Sequence, residues 1–165
     1  MKLIFSYGKK VEPALDRLNA FKEVAASFGI GTEYVEYDFD SSPDERAAKL
    51  LDVVKAEPEP SELILAGSSM GAYGSLLASM QVPVKGLFLV SPALFMYERK
   101  EYNLRGAQKA EFVVGWKDAV IPVDKVLDYI KSEGAEVHIV DNDHLMFSSL
   151  PVLKALFREF LQELV

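Results

Sequence analysis

A serine between two glycines is the first group of residues in this sequence that could do chemistry. Residues 67–71 read Gly-Ser-Ser-Met-Gly and place Ser69 at the centre of a G-x-S-x-G pentapeptide. An apolar, β-rich run precedes it and an apolar helical run follows it, a setting in which a sharp turn presents a serine hydroxyl as a nucleophile. The glycines have a steric role, because side chains at their positions in so tight a turn would clash. The Met70 N–H, at the start of the helix, would face negative charge on a bound carbonyl oxygen.

The pentapeptide by itself admits other interpretations. Glycine-serine turns are common, and the same residues could form a close-packed turn or a weak anion site at a helix N-terminus. A flavodoxin-like phosphate-binding loop is disfavoured, because the sequence lacks both the lysine of G-x-x-x-x-G-K-[ST] and a G-x-G-x-x-G pattern. The rest of the chain therefore has to decide between a nucleophile and a simple turn.

An acid and a base follow the serine along the chain. Residues 115–122 have the form G-x-x-D-x-x-I-P, in which Asp118 follows an apolar run, and His144 follows the last such run. A carboxylate can accept a hydrogen bond from a histidine and fix its tautomer, and the histidine can then take a proton from a serine. This pattern predicts Ser69 as the nucleophile, Asp118 as the orienting acid and His144 as the base.

Both partners of the serine have competitors. His138 is the other histidine of the chain, but its predicted position in mid-strand directs its side chain into a face of the sheet. Asp124 lies in the first turn of a predicted helix, where it suits the helix dipole. Asp141 and Asp143 are predicted to shape the loop of His144, and either is a candidate second partner for it.

Six short apolar runs are predicted to form the strands that position these residues. Several are continuously apolar, which is typical of strands buried on both faces of a parallel sheet. Helical segments alternate with them, one opened by a capping box at residues 42–45 and one ended by Gly134 as C-cap. This alternation predicts an α/β, three-layer sandwich with a mainly parallel six-stranded sheet. The predicted strands cover residues 2–6, 33–38, 62–66, 86–90, 111–114 and 136–140.

The predicted strand ends bring the candidate residues together. The carboxyl ends of parallel strands meet at one edge of the sheet, where ligands bind. Ser69 follows the third predicted strand, Asp118 the fifth and His144 the sixth, and residues 7–9 reach the same edge after the first. Three signals in the order Ser, Asp, His are together far more specific than any one alone.

Composition excludes several other classes of function. The 165 residues are half apolar and contain no linker or repeat, which predicts a single domain over residues 1–165. A net charge of −7 argues against a nucleic-acid binder. With no cysteine and two histidines, the chain is expected to use no metal and no cofactor. No segment has the length of a membrane span or the pattern of a signal peptide, which predicts a cytoplasmic protein with no membrane partner.

These motifs resemble those of the α/β-hydrolase superfamily, in particular its small bacterial esterases. The resemblance runs from the first strand to the last helix, and residues 67–71 and 115–122 are its most specific parts. It implies that Ser69 attacks an acyl carbonyl while His144 and Asp118 carry and stabilise the proton.

The resemblance also implies an oxyanion hole. Its two donors would be the N–H groups of Met70 and Lys9. The sequence has Tyr7 before Gly8, where the family commonly has a histidine, which is one departure from the family pattern.

The second departure is the small size of the chain. Fuller members begin with two further antiparallel strands, and many carry a helical cap after the strand that corresponds to residues 86–90. Here residues 91–109 leave room for a short helix, such as 94–97, and for no cap domain, which predicts an open site. Candidates for the lining of an apolar acyl pocket are Tyr7, Phe95, Met96, Trp116, Met146 and Phe147.

The function implied by the resemblance is hydrolysis of a carboxylic ester or thioester. The substrate would be a small acyl compound, and the reaction would pass through an acyl-serine intermediate. The alternative is a non-catalytic ligand-binding or interaction protein on a hydrolase-like scaffold, since a fold does not fix a function. Nothing in the sequence specifies an oligomeric state.

Overall fold

A six-stranded, entirely parallel sheet forms the centre of the computed structural model, which describes residues 1–165. Helices connect the strands, so the predicted α/β class with a parallel sheet is confirmed. The strands are β1 (Lys2–Ser6), β2 (Gly31–Tyr34), β3 (Leu63–Ser68), β4 (Val84–Val90), β5 (Ala107–Gly115) and β6 (Glu136–Val140). The helices are α1 (Glu12–Ser27), α2 (Pro43–Ala56), α3 (Met70–Ser79), α4 (Val123–Glu133) and α5 (Leu150–Gln162), with 3-10 turns at Pro60–Glu62 and Phe147–Ser149.

The strand order brings two early loops together. The order across the sheet is β2-β1-β3-β4-β5-β6, so the chain runs to opposite sides of β1. The carboxyl ends of β1 and β3 thus form a topological switch point, the place where open α/β sheets bind ligands. Pairing of Ser6 with Gly67 sets the loop after β1 directly beside the residues that follow β3.

Two apolar clusters on opposite faces of the sheet produce the three layers. All six residues of β3 are buried, as its continuously apolar sequence predicts. On one face α1 packs against α5, and Phe21 stacks on Phe157 with ring centroids 4.3 Å apart. On the other face α2, α3 and α4 enclose a core that includes Leu50, Leu76 and Val126.

Local signals begin and end two of the helices as predicted. The Ser42 hydroxyl accepts a hydrogen bond from the Glu45 N–H at 3.2 Å, and the Glu45 carboxylate accepts one from the Ser42 N–H at 2.7 Å, which completes the capping box. Gly134 ends α4 with a φ of 66°, a left-handed conformation that glycine adopts without strain. None of the helices is long and apolar enough to cross a membrane.

Two sequence-based expectations of local structure are wrong. The sequence predicts the second strand over residues 33–38, but β2 spans Gly31–Tyr34, because the pairing with β1 runs from Lys2 with Gly31 to Phe5 with Tyr34. The short helix expected at residues 94–97 is absent. Phe95 has a φ of 62° there, which interrupts a right-handed helix, and its N–H donates to the Tyr102 hydroxyl at 3.2 Å.

Candidate active site

The turn between β3 and α3 holds Ser69 in a strained backbone conformation. Ser69 has a φ of 54° and a ψ of −120°, which non-glycine residues rarely adopt. Its N–H donates to the Val90 carbonyl at 3.0 Å, and its own carbonyl accepts from the N–H groups of Ala93 and Tyr73 at 3.1 and 3.2 Å. Three hydrogen bonds from two neighbouring elements thus maintain the strain.

The glycines on either side of Ser69 have the steric role that the sequence predicts. A β-carbon on Gly67 would lie 2.7 Å from the Ala72 nitrogen, and one on Gly71 would lie 2.1 Å from the Ser6 carbonyl oxygen. Neither backbone atom can move away cheaply, because one belongs to α3 and the other to β1. The close approach of β1, β3 and α3 therefore depends on glycine at both positions.

Ser69, His144 and Asp118 form a continuous hydrogen-bonded chain. The distance from Ser69 Oγ to His144 Nε2 is 2.9 Å, and that from His144 Nδ1 to Asp118 Oδ2 is 2.7 Å. In the tautomer that satisfies both bonds, the serine hydroxyl donates to Nε2 and Nδ1–H donates to the carboxylate. The Asp118 side chain is fully buried, and that of His144 is only 14% exposed. Three residues predicted from separate strand ends thus meet in one site.

Asp118 is held as a carboxylate by the turn that follows β5. Its Oδ1 accepts hydrogen bonds from the N–H groups of Val120 and Ile121 at 2.8 and 3.1 Å, while Oδ2 faces His144. Burial raises the pKa of Asp118, but the hydrogen bond with His144 and the two backbone N–H groups together outweigh it and lower the pKa below the ordinary 3.8. The competing Asp124 lies exposed in the first turn of α4.

The loop after β6 is shaped so that His144 faces the serine. Asp143 Oδ1 accepts from the N–H groups of Leu145 and Met146 at 3.0 and 3.2 Å, which bends the loop as the sequence suggested. Ser91 Oγ donates to the His144 carbonyl at 3.1 Å, and Nη1 of Arg17 donates to the Leu145 carbonyl at 3.1 Å. His144 is therefore supported from β6, from the end of β4 and from α1.

Met70 and Lys9, whose backbone N–H groups are the predicted oxyanion donors, both line the cavity that contains Ser69. Met70 is the first residue of α3, so its N–H has no partner within the helix. The Lys9 N–H makes no backbone hydrogen bond, and both residues line the same cavity as Ser69. A β-carbon on Gly8 would lie 3.2 Å from the Met70 nitrogen, which shows how tightly the two loops pack. This arrangement suits the stabilisation of an oxyanion.

The loop after β1 is anchored from α2 by Arg46. This buried guanidinium donates through Nη1 to the Gly8 carbonyl and through Nε to the Ser41 carbonyl at 3.1 Å. Tyr7, expected to contact substrate, is instead 2% exposed and packs edge-to-face on Tyr37 with centroids 5.9 Å apart.

A cavity of about 400 Å³ opens beside the triad. Of the six residues predicted to line an acyl pocket, only Met96 borders it. Phe95 packs on Tyr102 and Tyr129 instead, and Met146 is buried in the core beneath α1. Trp116 and Phe147 point to solvent, 65% and 66% exposed. The cavity is lined by Gly8, Lys9, Val11, Ala14, Arg17, Ser68, Ser69, Met70, Ser91, Met96, Tyr97, Val120, His144 and Leu145.

Solved structures with a similar fold are α/β hydrolases. A protein of Xanthomonas campestris assigned to the α/β superfamily of hydrolases matches with a TM-score of 0.89 and 26% identity over 99% of each chain. The chain belongs to the α/β-hydrolase superfamily. Mouse α/β hydrolase domain-containing protein 10 shares this fold with a TM-score of 0.78 and 16% identity, over 99% of this chain and 90% of that one. No protein-family model and no curated protein matches the sequence.

This α/β hydrolase has no cap over its site. A serine hydrolase without a lid, also from Xanthomonas campestris, shares the fold with a TM-score of 0.74 and 15% identity, over 98% of this chain and 81% of that one. Here β4 is followed by residues 91–106, which contain no helix and lead directly to β5. The predicted capless architecture is therefore confirmed.

A second ionisable cluster of the α/β hydrolase lies on β5 and β6. Glu111, Glu136 and His138 offer ligand atoms within 4.8 Å of one another. The Lys109 ammonium lies 2.9 Å from the Glu111 carboxylate and 3.7 Å from that of Glu136, and it supplies the positive charge that a cation would bring. His138, the competing base, pairs with Glu111 at 3.1 Å and takes no part in the triad.

Three residues that support the site are not indicated by any of the sequence motifs. They are Ser91, Arg17 and Arg46, each of which supports a loop of the site. The two arginines do have a sequence signal, because each occupies a position on the otherwise apolar, buried face of its helix. Arg17 lies three residues after Ala14, and Arg46 lies four before Leu50.

Proposed function

We propose that this chain is a serine hydrolase that cleaves a carboxylic ester or thioester through an acyl-serine intermediate. The observation that carries the proposal is the hydrogen-bonded chain from Asp118 through His144 to Ser69 at the wall of an open cavity. A non-catalytic binding protein would have no need of a buried carboxylate, an oriented imidazole and a strained serine in this alignment.

In the acylation step, Ser69 Oγ attacks the acyl carbonyl carbon while its proton passes to His144 Nε2. The Asp118 carboxylate stabilises the imidazolium through the Nδ1–H hydrogen bond. The N–H groups of Met70 and Lys9 bind the negative oxygen of the tetrahedral intermediate. His144 then donates its proton to the departing alcohol or thiol, and Ser69 retains the acyl group.

In the deacylation step, a water molecule enters from the open side of the cavity. His144 takes a proton from this water as the oxygen attacks the acyl carbon, and the same two N–H groups hold the second oxyanion. Collapse of the intermediate releases the carboxylic acid and returns the proton from His144 to Ser69 Oγ. The absence of a cap leaves this path open to solvent.

The proposal is tested by covalent labelling with a fluorophosphonate probe. We expect stoichiometric addition to the wild-type chain and none to Ser69→Ala. Ser75→Ala is the matched control, because it makes the same change in α3 at a buried serine that bonds only the Gly71 carbonyl. We expect Ser75→Ala to label like wild type.

Two outcomes would contradict the proposal. Labelling of Ser69→Ala would assign the nucleophile to another residue. If the wild-type chain neither reacted with the probe nor cleaved 4-nitrophenyl or coenzyme-A esters of graded length, the result would favour the non-catalytic alternative. The same ester panel separates esterase from thioesterase activity.

A further inference from the structure

Arg17 is the one buried charged side chain in the lining of the active-site cavity. It lies on α1 and is 5% exposed. Its Nη1 donates to the Leu145 carbonyl at 3.1 Å, but Nε is fully buried with no hydrogen-bond partner. Nη2 has no protein partner either, and it retains contact with solvent-accessible space. The Nε–Nη2 edge of the guanidinium is therefore unused by the protein.

No carboxylate compensates the charge of Arg17. Burial lowers its pKa to about 10, and no neighbouring acid counteracts this effect. The guanidinium still remains protonated at neutral pH, so the fold encloses an unpaired cation. Burying an unpaired charge is expensive, and buried groups of this kind are normally paired or hydrogen-bonded. A hydrogen bond to one backbone carbonyl accounts for only a single donor of five.

The charge of the cavity differs from that of the whole protein. Its basic lining residues are Lys9, Arg17 and His144, and no aspartate or glutamate is among the lining residues. The chain as a whole has a net charge of −7. In an acidic protein, a cavity that is lined by basic side chains, with no carboxylate among its lining residues and a buried arginine without an acidic partner, has the electrostatics of an anion site.

We infer that Arg17 binds a carboxylate of the substrate, so that the preferred substrate is an ester that carries a free carboxylate besides the bond to be cleaved. This inference rests on the proposed hydrolase function. Nη2 is the guanidinium nitrogen that has no hydrogen-bond partner and is not fully enclosed, so its N–H groups are the donors that a carboxylate would accept in a charge-assisted hydrogen bond. The carboxylate can belong to the acyl part or to the leaving group, and the substrates below separate the two.

The acyl arm compares the mono-4-nitrophenyl ester of adipic acid with its neutral methyl diester. The leaving-group arm compares 4-carboxyphenyl butyrate with its methyl ester. Since a charge-assisted hydrogen bond outweighs a neutral one, we expect kcat/KM to favour the anionic ester about tenfold or more in one arm. The favoured arm identifies the part of the substrate that Arg17 binds.

Variants then assign the preference to Arg17. In Arg17→Gln the ratio of kcat/KM for anionic and neutral esters should fall to about one, and Arg17→Lys should retain part of it because it keeps the charge without the planar guanidinium. Arg158→Gln is the matched control, since it removes an arginine on α5 that bonds Ser27 and lies outside the cavity. We expect its ratio to equal that of wild type.

Arg17 also supports the loop of His144, so its replacement could lower kcat/KM for every ester. The decisive quantity is therefore the ratio of kcat/KM for the anionic and the neutral ester. If Arg17→Gln lowered kcat/KM equally for the anionic and the neutral ester and so kept the wild-type ratio, Arg17 would have a purely structural role and the inference would be overturned. A wild-type chain without preference for either anionic ester would also overturn it. In that case the proposed hydrolase function stands, because the neutral esters are still cleaved.

A binding experiment keeps the inference testable if no ester is cleaved. Calorimetric titration of Ser69→Ala with monomethyl adipate and with 4-carboxyphenyl butyrate should show binding of at least one, lost when Arg17→Gln is added. Absence of binding of both to the Ser69→Ala chain would overturn the inference. If Ser69→Ala binds one of these compounds but the wild-type chain cleaves no ester, the result would instead count against the hydrolase function.

Discussion

At the scale of single residues, the site combines one strained serine with several supports that hold it. Ser69 keeps its φ of 54° because Val90, Ala93 and Tyr73 all hydrogen-bond its backbone. Strain of this kind costs about 1–3 kcal/mol per residue and persists where surrounding structure imposes it. Here the strained conformation directs the Ser69 hydroxyl away from the sheet and toward His144. The strain therefore lowers the stability of the protein but places the hydroxyl beside the histidine.

Replacement of Ser69 by glycine should therefore stabilise the protein while it abolishes labelling. Relative to Ser69→Ala, which keeps the strain, Ser69→Gly should raise the free energy of unfolding by about 1 kcal/mol, the strain relief less the entropy of glycine. Urea denaturation of the two variants measures this difference. Equal stability would show that the turn is not strained.

Asp118→Asn should lower kcat without removing the serine. The amide can no longer stabilise the imidazolium or fix its tautomer, so we expect kcat for 4-nitrophenyl butyrate to fall on the order of 10⁴-fold. Asp124→Asn, the same change at the exposed carboxylate on α4, serves as the control and should retain wild-type kcat. A similar loss in both variants would contradict the assignment of the acid.

The stability of the protein should also depend on pH through Asp118. Because the folded chain lowers the pKa of Asp118 below 3.8, the carboxylate contributes stability above that value, and this contribution is lost as the pH falls through the folded-state pKa. The difference in unfolding free energy between wild type and Asp118→Asn should thus shrink from pH 7 to pH 3 in urea titrations. A constant difference would mean that the pKa is not lowered.

At the scale of elements, the site depends on how closely β1, β3 and α3 approach one another. Pairing of Ser6 with Gly67 aligns the loops that carry Lys9 and Ser69, and Gly71 lets α3 begin directly above the end of β1. Packing, rather than any single contact, therefore sets the distance between the Met70 and Lys9 N–H groups that we propose bind the oxyanion.

Gly71→Ala should disrupt this packing. The added β-carbon would lie 2.1 Å from the Ser6 carbonyl oxygen, and we expect a loss of about 3 kcal/mol in unfolding free energy together with loss of fluorophosphonate labelling. At Gly31 on β2 a β-carbon meets nothing within 4 Å, so Gly31→Ala should stay within about 0.5 kcal/mol of wild type. Comparable losses at both positions would argue against the steric explanation.

Elements with strong local signals were predictable from sequence, and those set by distant pairing were not. The continuously apolar β3 and the capping box at Ser42 fix their own structure. The start of β2 depends on register with β1, and the path around Phe95 depends on a hydrogen bond to Tyr102. The order of the triad residues along the chain was readable because each follows a strand, but side-chain direction was not, as the solvent-facing Trp116 shows.

At the scale of the whole molecule, the open cavity treats the two halves of a substrate differently. The link from β4 to β5 carries no cap, so the part of an ester that does not enter the cavity stays in solvent. For neutral esters we expect the acyl part to be the enclosed one, in contact with apolar side chains such as Val11 and Ala14. Selectivity should therefore reside mostly in the enclosed part.

Bulk on the leaving group should matter little for neutral esters. We expect kcat/KM for 4-nitrophenyl and 4-methylumbelliferyl butyrate to agree within about threefold, while a methylene that overfills the cavity changes kcat/KM by about tenfold. A series of 4-nitrophenyl esters of increasing acyl length measures the second effect. If kcat/KM depended strongly on leaving-group size and not on acyl length, the leaving group would be the enclosed part and the acyl group the part in solvent.

The triad draws its members from the ends of β3, β5 and β6, and Ser69 and His144 are 75 residues apart in the chain. Contacts between such distant segments form late, because long loops must close before strands can pair. The serine that we propose as the nucleophile thus meets its histidine only after the parallel sheet is assembled through its final strand. Pulse labelling with a fluorophosphonate during refolding should consequently time the completion of the sheet, separately from the earlier return of helical circular dichroism.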